Sequence, residues 1–164
     1  MSPDVLVVLG SKTDAEVGKK AQAILKEFGV SHEMIVSSAH RTPDELEKLV
    51  RATDAKVFIA IAGLSAALPG TIAAHTTRPV IGVPVSGKLN LDSILSITQM
   101  PPGVPVAAVG LDRGENAALL AIQILALHDA ELAKKLHEHR EAMKRWVHED
   151  SRSLGDPGPG SAVP

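Results

Sequence analysis

Cysteine is absent from the 164-residue chain, which removes disulfides, zinc-thiolate centres and thiol nucleophiles together. Tyrosine is absent as well, and Phe28, Phe58 and Trp146 are the only aromatic residues, too few for a stacking platform that would hold single-stranded nucleic acid or a flavin ring. Neither sign of charge dominates. The 17 Lys and Arg against 19 Asp and Glu give a formal net charge of -2, so no basic field is available to hold a nucleic acid backbone. Long hydrophobic runs are also missing: the longest apolar stretch, residues 117–127, is broken by Gln123 and falls well short of the roughly 20 residues that span a bilayer. The chain opens Met1-Ser2-Pro3-Asp4 and passes directly into a strand-like run, without the charged leader and apolar segment of a secretory signal. The expectation is a cytoplasmic protein that engages neither nucleic acid nor membrane.

Hydrophobic residues make up 45% of the chain, enough at this length to bury one sizeable core. A single catalytic-sized domain is expected over residues 1–150. A disordered tail is expected over 151–164, where three Pro and three Gly follow Leu154. Val5-Leu6-Val7-Val8-Leu9 and Val57-Phe58-Ile59-Ala60-Ile61-Ala62 are continuous apolar runs of strand length, as expected when both faces of a sheet are covered. Met34-Ile35-Val36, residues 80–83 and residues 106–109 supply three further strands. Between them, Val17, Ala21, Ile24, Leu25 and Phe28 recur at helical spacing and Gly29 follows as a C-cap. Residues 65–76 should be helical in part, 91–99 should form a short helix, and 116–127 should form a nearly all-apolar, buried one. Strands alternating with helices predict an α/β fold with a five-stranded parallel sheet covered on both sides. From Asp129 the chain is highly charged, yet Leu132, Leu136, Met143 and Val147 keep an apolar helical stripe with Trp146 beside it. The sheet is complete by then, so this C-terminal helix is expected to pack on a neighbouring subunit.

Ligands on parallel sheets bind beyond the carboxyl ends of the strands, and three loops leave those ends. Ser37-Ser38-Ala39-His40-Arg41-Thr42-Pro43 sets a proton carrier beside an anion clamp. The unperturbed imidazole titrates nearest neutrality, so His40 can act as both acid and base in one turnover, and Arg41 offers a planar fork of donors for phosphate or carboxylate. Thr42-Pro43-Asp44-Glu45 predicts a helix start, with Thr42 as N-cap and Glu45 completing a capping box. The same residues also fit a well-capped loop bearing a surface histidine. Gly10-Ser11-Lys12-Thr13-Asp14 places hydroxyls, amides and a carboxylate between a strand and a helix. Ser11 and the helix-start amides can hold an anion, and Asp14 can accept hydrogen bonds from ribose hydroxyls; helix capping by Thr13 or Asp14 is the alternative. The Gly63-Leu64-Ser65-Ala66-Ala67 segment offers backbone and small side chains, suited either to close approach of a flat ring or to plain packing. The other six histidines, His32, His75, His128, His137, His139 and His148, form no metal-ligand set and are expected on the solvated surface.

Taken in order, the Gly10–Asp14 loop, Ser38-Ala39-His40-Arg41-Thr42-Pro43, Leu68-Pro69-Gly70, Pro79-Val80-Ile81-Gly82-Val83-Pro84, Asp92-Ser93-Ile94-Leu95-Ser96-Ile97-Thr98-Gln99-Met100-Pro101 and Asn116-Ala117-Ala118-Leu119-Leu120-Ala121 resemble the PurE family of purine biosynthesis. The resemblance runs from about Val5 to about Asp129. It implies a three-layer flavodoxin-like fold, a homo-octamer, a small ribonucleotide substrate, and no metal or organic cofactor. Its commoner branch is N5-carboxyaminoimidazole ribonucleotide mutase, which moves a carboxyl group from N5 to C4 of an imidazole ring; another branch is a direct aminoimidazole ribonucleotide carboxylase. By motif position it implies His40 as the catalytic residue and Ser11, Asp14 and Arg41 as the main substrate contacts. Gly10, Ser38, Ala39, Gly63, Ser65, Ala66 and Leu68 are implied to line the same site.

Departures at Leu64, Ser65 and Ala67 qualify the match. Mutases usually read Gly-Gly-Ala-Ala-His-Leu-Pro-Gly where this chain has Gly63-Leu64-Ser65-Ala66-Ala67-Leu68-Pro69-Gly70, so Ala67 replaces a family histidine. Carboxylases read Gly-Arg-Ser-Asn there, and Ser65 alone follows them. Arg41, where carboxylases have lysine, and Thr98-Gln99-Met100-Pro101, where they have a Leu-Arg-Met-Pro run, both point to the mutase, with the carboxylase as the alternative. A non-catalytic receiver or nucleotide-sensing domain on the same fold would carry a lone Asp after the third strand, where this chain has Ala62-Gly63.

Overall fold

A computed structural model describes residues 2–154 of the chain. Strands Val5–Leu9 (β1), His32–Val36 (β2), Val57–Ala62 (β3), Val80–Pro84 (β4) and Ala107–Ala108 (β5) form one sheet in the order β2-β1-β3-β4-β5. Every neighbouring pair is parallel. This is the flavodoxin-like order, in which the chain winds outward from β1 in both directions. The central strands β1, β3 and β4 are buried at every residue, which is why their sequences lack polar alternation. Helices Ala15–Phe28 (α1), Pro43–Ala52 (α2), Leu68–Ala74 (α3), Asn90–Thr98 (α4) and Gly114–Ala126 (α5) connect and follow them.

Alternation along β1 divides the core into two layers. Leu6 and Val8 pack with Phe58, Ala60 and with Leu46 and Val50 of α2, Leu68 and Ile72 of α3, and Ile97 of α4. On the other face lies α1, whose Gly18 passes so close to Leu9 and Met34 that an added Cβ would fall 2.7 Å from the Met34 sulfur. Gly114 of α5 sits tighter still, with room for no side chain against the Val17 carbonyl. Gly29 closes α1 in the left-handed conformation, φ 75°, and its amide donates to the Leu25 and Lys26 carbonyls, as a C-cap glycine does.

Several expectations need correction. Strand β5, at the edge of the sheet, has two exposed residues rather than four, paired with Ile81 and Gly82 of β4. Helix α5 buries Ala117, Ala118, Ala121 and Ile122 but leaves Leu119, Leu120 and Ile124 only half-buried, so it is amphipathic in its setting rather than enclosed. Arg78 carries a structural role that no motif marks. Its guanidinium donates to the carbonyls of Val50, Thr53 and Ala55 and lies 4.9 Å over the Phe58 ring, closing the C-terminal end of α2.

The chain divides into two compact units, one ending at Leu125 and one beginning at Ala126. The second contains helix Ala130–Ser153 (α6), capped by the Asp129 carboxylate, which accepts from the amides of Glu131 and Leu132 at 3.0 Å. None of its residues is buried, and Met143, Trp146 and Val147 are exposed. It runs to Ser153, three residues past the boundary expected at 150; residues 155–164 of the expected tail lie outside the described residues. Among the described residues no helix is long and apolar enough to cross a membrane.

Candidate active site

The loops leaving β1, β2 and β3 are tied together before any side chain contributes. The Gly10 amide donates to the Ile61 carbonyl at 2.9 Å and the Ser37 amide to the Leu9 carbonyl at 2.9 Å, so the strand ladders continue into the loops. The three segments therefore meet at the carboxyl edge of the sheet, at the point where the strand order reverses, as ligand sites on such sheets do. They enclose a cavity of about 450 Å³.

The first loop folds back on itself. The Ser11 hydroxyl oxygen accepts from the Thr13 amide at 3.3 Å, and the Asp14 carboxylate accepts from the Ser11 amide at 2.9 Å. This reciprocal pair is a capping box around the 3-10 turn Lys12–Asp14 that precedes α1. It fixes Asp14, which is only 6% exposed. Burial pushes the Asp14 carboxyl above the ordinary carboxylate range, opposed by the Ser11 amide, the Thr13 hydroxyl and the charge of Arg41. Its second oxygen still has lone pairs to offer a ligand.

The second loop brings Arg41 across to the first. Its Nη2 donates to the Gly10 carbonyl at 2.9 Å and its Nε to the Ser38 hydroxyl at 3.2 Å. Two of the five guanidinium N–H groups are thus spent on positioning, and three remain for an anion. Thr42 stands at the N-cap of α2 with Pro43 in its first turn, as expected, but the expected capping box is absent. Thr42 is the residue before α2 but makes no side-chain bond to that helix; its hydroxyl instead accepts from the Ser38 amide at 3.1 Å and donates to the Ser38 carbonyl at 3.3 Å. The hydroxyl satisfies the loop, and the capping box lies at Ser11 and Asp14. His40 is exposed and has no hydrogen-bond partner among the described residues, which leaves both ring nitrogens available.

The third segment supplies an apolar wall of Ala62, Gly63, Leu64, Ala66, Ala67 and Leu68. At Gly63 a Cβ would come within 3.4 Å of the Val85 carbonyl oxygen, so the backbone there is close-packed. Gly10, Ser11, Asp14, Ser38, Ala39, His40, Arg41, Gly63, Ser65, Ala66 and Leu68, the residues expected from sequence, all line this one cavity. Thr13, Ala62, Leu64 and Ala67 line it as well. They belong to the same loops or the strand end before them, so treating the whole strand-end segments as lining would have found them.

The other histidines are less uniformly solvated than expected. His32 is half-buried with Nδ1 2.8 Å from the Val30 carbonyl, and His75 lies 3.7 Å from the Glu47 carboxylate. Chemically, the cavity combines one imidazole, one guanidinium, one buried carboxyl and an apolar wall. His40 is the one histidine among the residues that line it.

A protein-family model described as AIR carboxylase matches residues 4–146. The N5-carboxyaminoimidazole ribonucleotide mutase of Methanocaldococcus jannaschii is 58% identical over 145 residues, which is 88% of this chain and 92% of that protein. The protein of the same name from Bacillus subtilis is 52% identical over 161 residues, 94% of this chain and 99% of that one. Among solved structures, the crystal structure of Treponema denticola PurE matches with a TM-score of 0.84 at 31% identity, covering 93% of this chain and 98% of that chain.

Proposed function

The chain belongs to the AIR carboxylase family, the PurE enzymes of purine biosynthesis, and we propose that it converts N5-carboxyaminoimidazole ribonucleotide to 4-carboxy-5-aminoimidazole ribonucleotide. His40 is the proton shuttle. The carbamate N–C bond breaks as His40 delivers a proton to the departing nitrogen, releasing carbon dioxide and leaving the neutral amine. The electron-rich ring carbon C4 then attacks that carbon dioxide, and the now neutral imidazole removes the C4 proton. One proton is given and one taken, so the enzyme returns to its starting state.

The observation that carries this reading is the solitary imidazole: a reaction that needs one group to act as acid and then base finds a single side chain suited to it in the cavity. The three free N–H groups of Arg41 and the Ser11 hydroxyl suit the substrate phosphate, and the free lone pairs of Asp14 suit ribose hydroxyls. The apolar wall suits carbon dioxide, which must be kept from water until it is captured. Curated relatives at 58% and 52% identity named as mutases support the same branch, as do Arg41 and Thr98-Gln99-Met100-Pro101. Direct carboxylation of aminoimidazole ribonucleotide is the second reading, favoured by Ser65. The family resemblance further supports a cytoplasmic homo-octamer in which the exposed apolar residues of α6 dock on a neighbouring subunit. Rates of the purified protein on the two candidate substrates test the assignment: faster turnover of the carboxyamino compound is expected, and faster turnover of aminoimidazole ribonucleotide with bicarbonate overturns it.

A further inference from the structure

The turn that carries His40 is closed at its ends by a single side chain. Ser38 and Thr42 stand four residues apart, with Ala39, His40 and Arg41 between them. The Thr42 amide donates to the Ser38 carbonyl at 3.0 Å, as in one isolated helical turn. The Thr42 hydroxyl takes both backbone groups of Ser38: it accepts from the amide at 3.1 Å and donates to the carbonyl at 3.3 Å. A hydroxyl can do this because it is donor and acceptor at one atom, and threonine holds it on a stiff χ1. Helix α2 goes without. An N-cap hydroxyl ordinarily accepts from the second or third helical amide, whereas this one makes no bond to the helix. A departure from local helix chemistry beside a binding cavity is where function is to be sought.

Arg41 and His40 depend on this closure unequally. Arg41 has braces of its own, its Nη2 on the Gly10 carbonyl and its amide and Nε on the Ser38 hydroxyl. His40 has none: neither its ring nor its backbone finds a hydrogen-bond partner among the described residues. Its place is set by its neighbours, by Ala39, packed against the core, and by the turn that Thr42 closes. We infer that Thr42 is a positioning residue for His40, its hydroxyl fixing the turn from which the imidazole works. The inference rests on the reading of His40 as the proton shuttle. That imidazole must meet two atoms of one bound ring, the departing nitrogen and then C4, so its distance to both has to be held through the turnover. A misplacement of about 1 Å can cost on the order of 10² in rate.

The test uses the full-length protein, with N5-carboxyaminoimidazole ribonucleotide for turnover and aminoimidazole ribonucleotide for calorimetric binding. Thr42→Val and Thr42→Ala delete the hydroxyl with and without a branched side chain. Either should lower kcat by about 10- to 100-fold while affinity for aminoimidazole ribonucleotide, held through Arg41, changes by less than about threefold. Thr42→Ser should recover most of the kcat, and in a His40→Asn background the hydroxyl deletion should cost no further rate. Unchanged kcat in a folded deletion variant overturns the inference. A loss of affinity as large as the loss of kcat, no recovery by serine, or an undiminished rate loss in the His40→Asn background overturns it too, since each detaches the hydroxyl from His40. Failure of both deletion variants to fold makes the hydroxyl structural and overturns it as well. Near wild-type turnover by His40→Asn overturns the proton-shuttle reading itself, and this inference with it.

Discussion

Replacing Arg41 with alanine should weaken ribonucleotide binding far more than it weakens the fold. In the structure the guanidinium spends two N–H groups on the Gly10 carbonyl and the Ser38 hydroxyl, leaving three without a partner among the described residues. A hydrogen bond to a charged group contributes about 1.5–3 kcal/mol, so loss of one phosphate contact corresponds to roughly 10- to 150-fold weaker binding. Two lost contacts would set a higher ceiling without simple additivity. The residue is exposed, and substitutions at exposed sites usually stay within about 0.5 kcal/mol of the parent stability. Calorimetric titration with aminoimidazole ribonucleotide, which carries the phosphate but lacks the migrating carboxyl, isolates the effect from turnover. Arg41→Lys should fall between, keeping the charge but losing the planar fork. Affinity within twofold of wild type for Arg41→Ala would place the phosphate elsewhere.

His40→Asn should preserve nucleotide binding while turnover falls by about 10²–10⁴-fold; near wild-type turnover in steady-state assay would remove His40 from the mechanism. Asp14→Asn bears on pH. An acid whose folded-state pKa is raised contributes stability that is complete below its unfolded pKa and is lost as pH rises through the folded value, and burial raises that of Asp14. Denaturant titrations should therefore show wild type losing stability relative to Asp14→Asn as pH rises from about 3 to 6, the interval around the ordinary aspartate value, and a pH-independent difference would contradict this. Truncation before Asp129 removes the exposed Met143, Trp146 and Val147 and should yield smaller or aggregated species by light scattering. An unaltered oligomer would rule out docking by α6.

The sheet was legible because its central strands are buried on both faces and so spell continuous apolar runs: the expected limits of β1 and β3 coincide with those observed. At the edge the signal fails, since Val106 and Val109 lie outside the two paired residues of β5 while looking no different in sequence. The convergence of three loops was legible too, because strand order and the position of each loop after its strand fix it. What could not be read were the partners of individual polar groups. Thr42 has the residue type of an N-cap, yet Ser38 lies four residues back and takes its hydroxyl. Arg78 serves carbonyls 23 to 28 residues away, a distance at which spacing carries no information.

The fate of the carboxyl group in the wild-type protein tests the central claim most directly. Unlabelled N5-carboxyaminoimidazole ribonucleotide is supplied in medium containing labelled bicarbonate, and label in the 4-carboxy product is counted during early turnover. A mutase that shuttles a proton through His40 and recaptures its own carbon dioxide should incorporate little label. Heavy incorporation, with preferential use of aminoimidazole ribonucleotide, would contradict it and identify a carboxylase drawing carbon dioxide from solution.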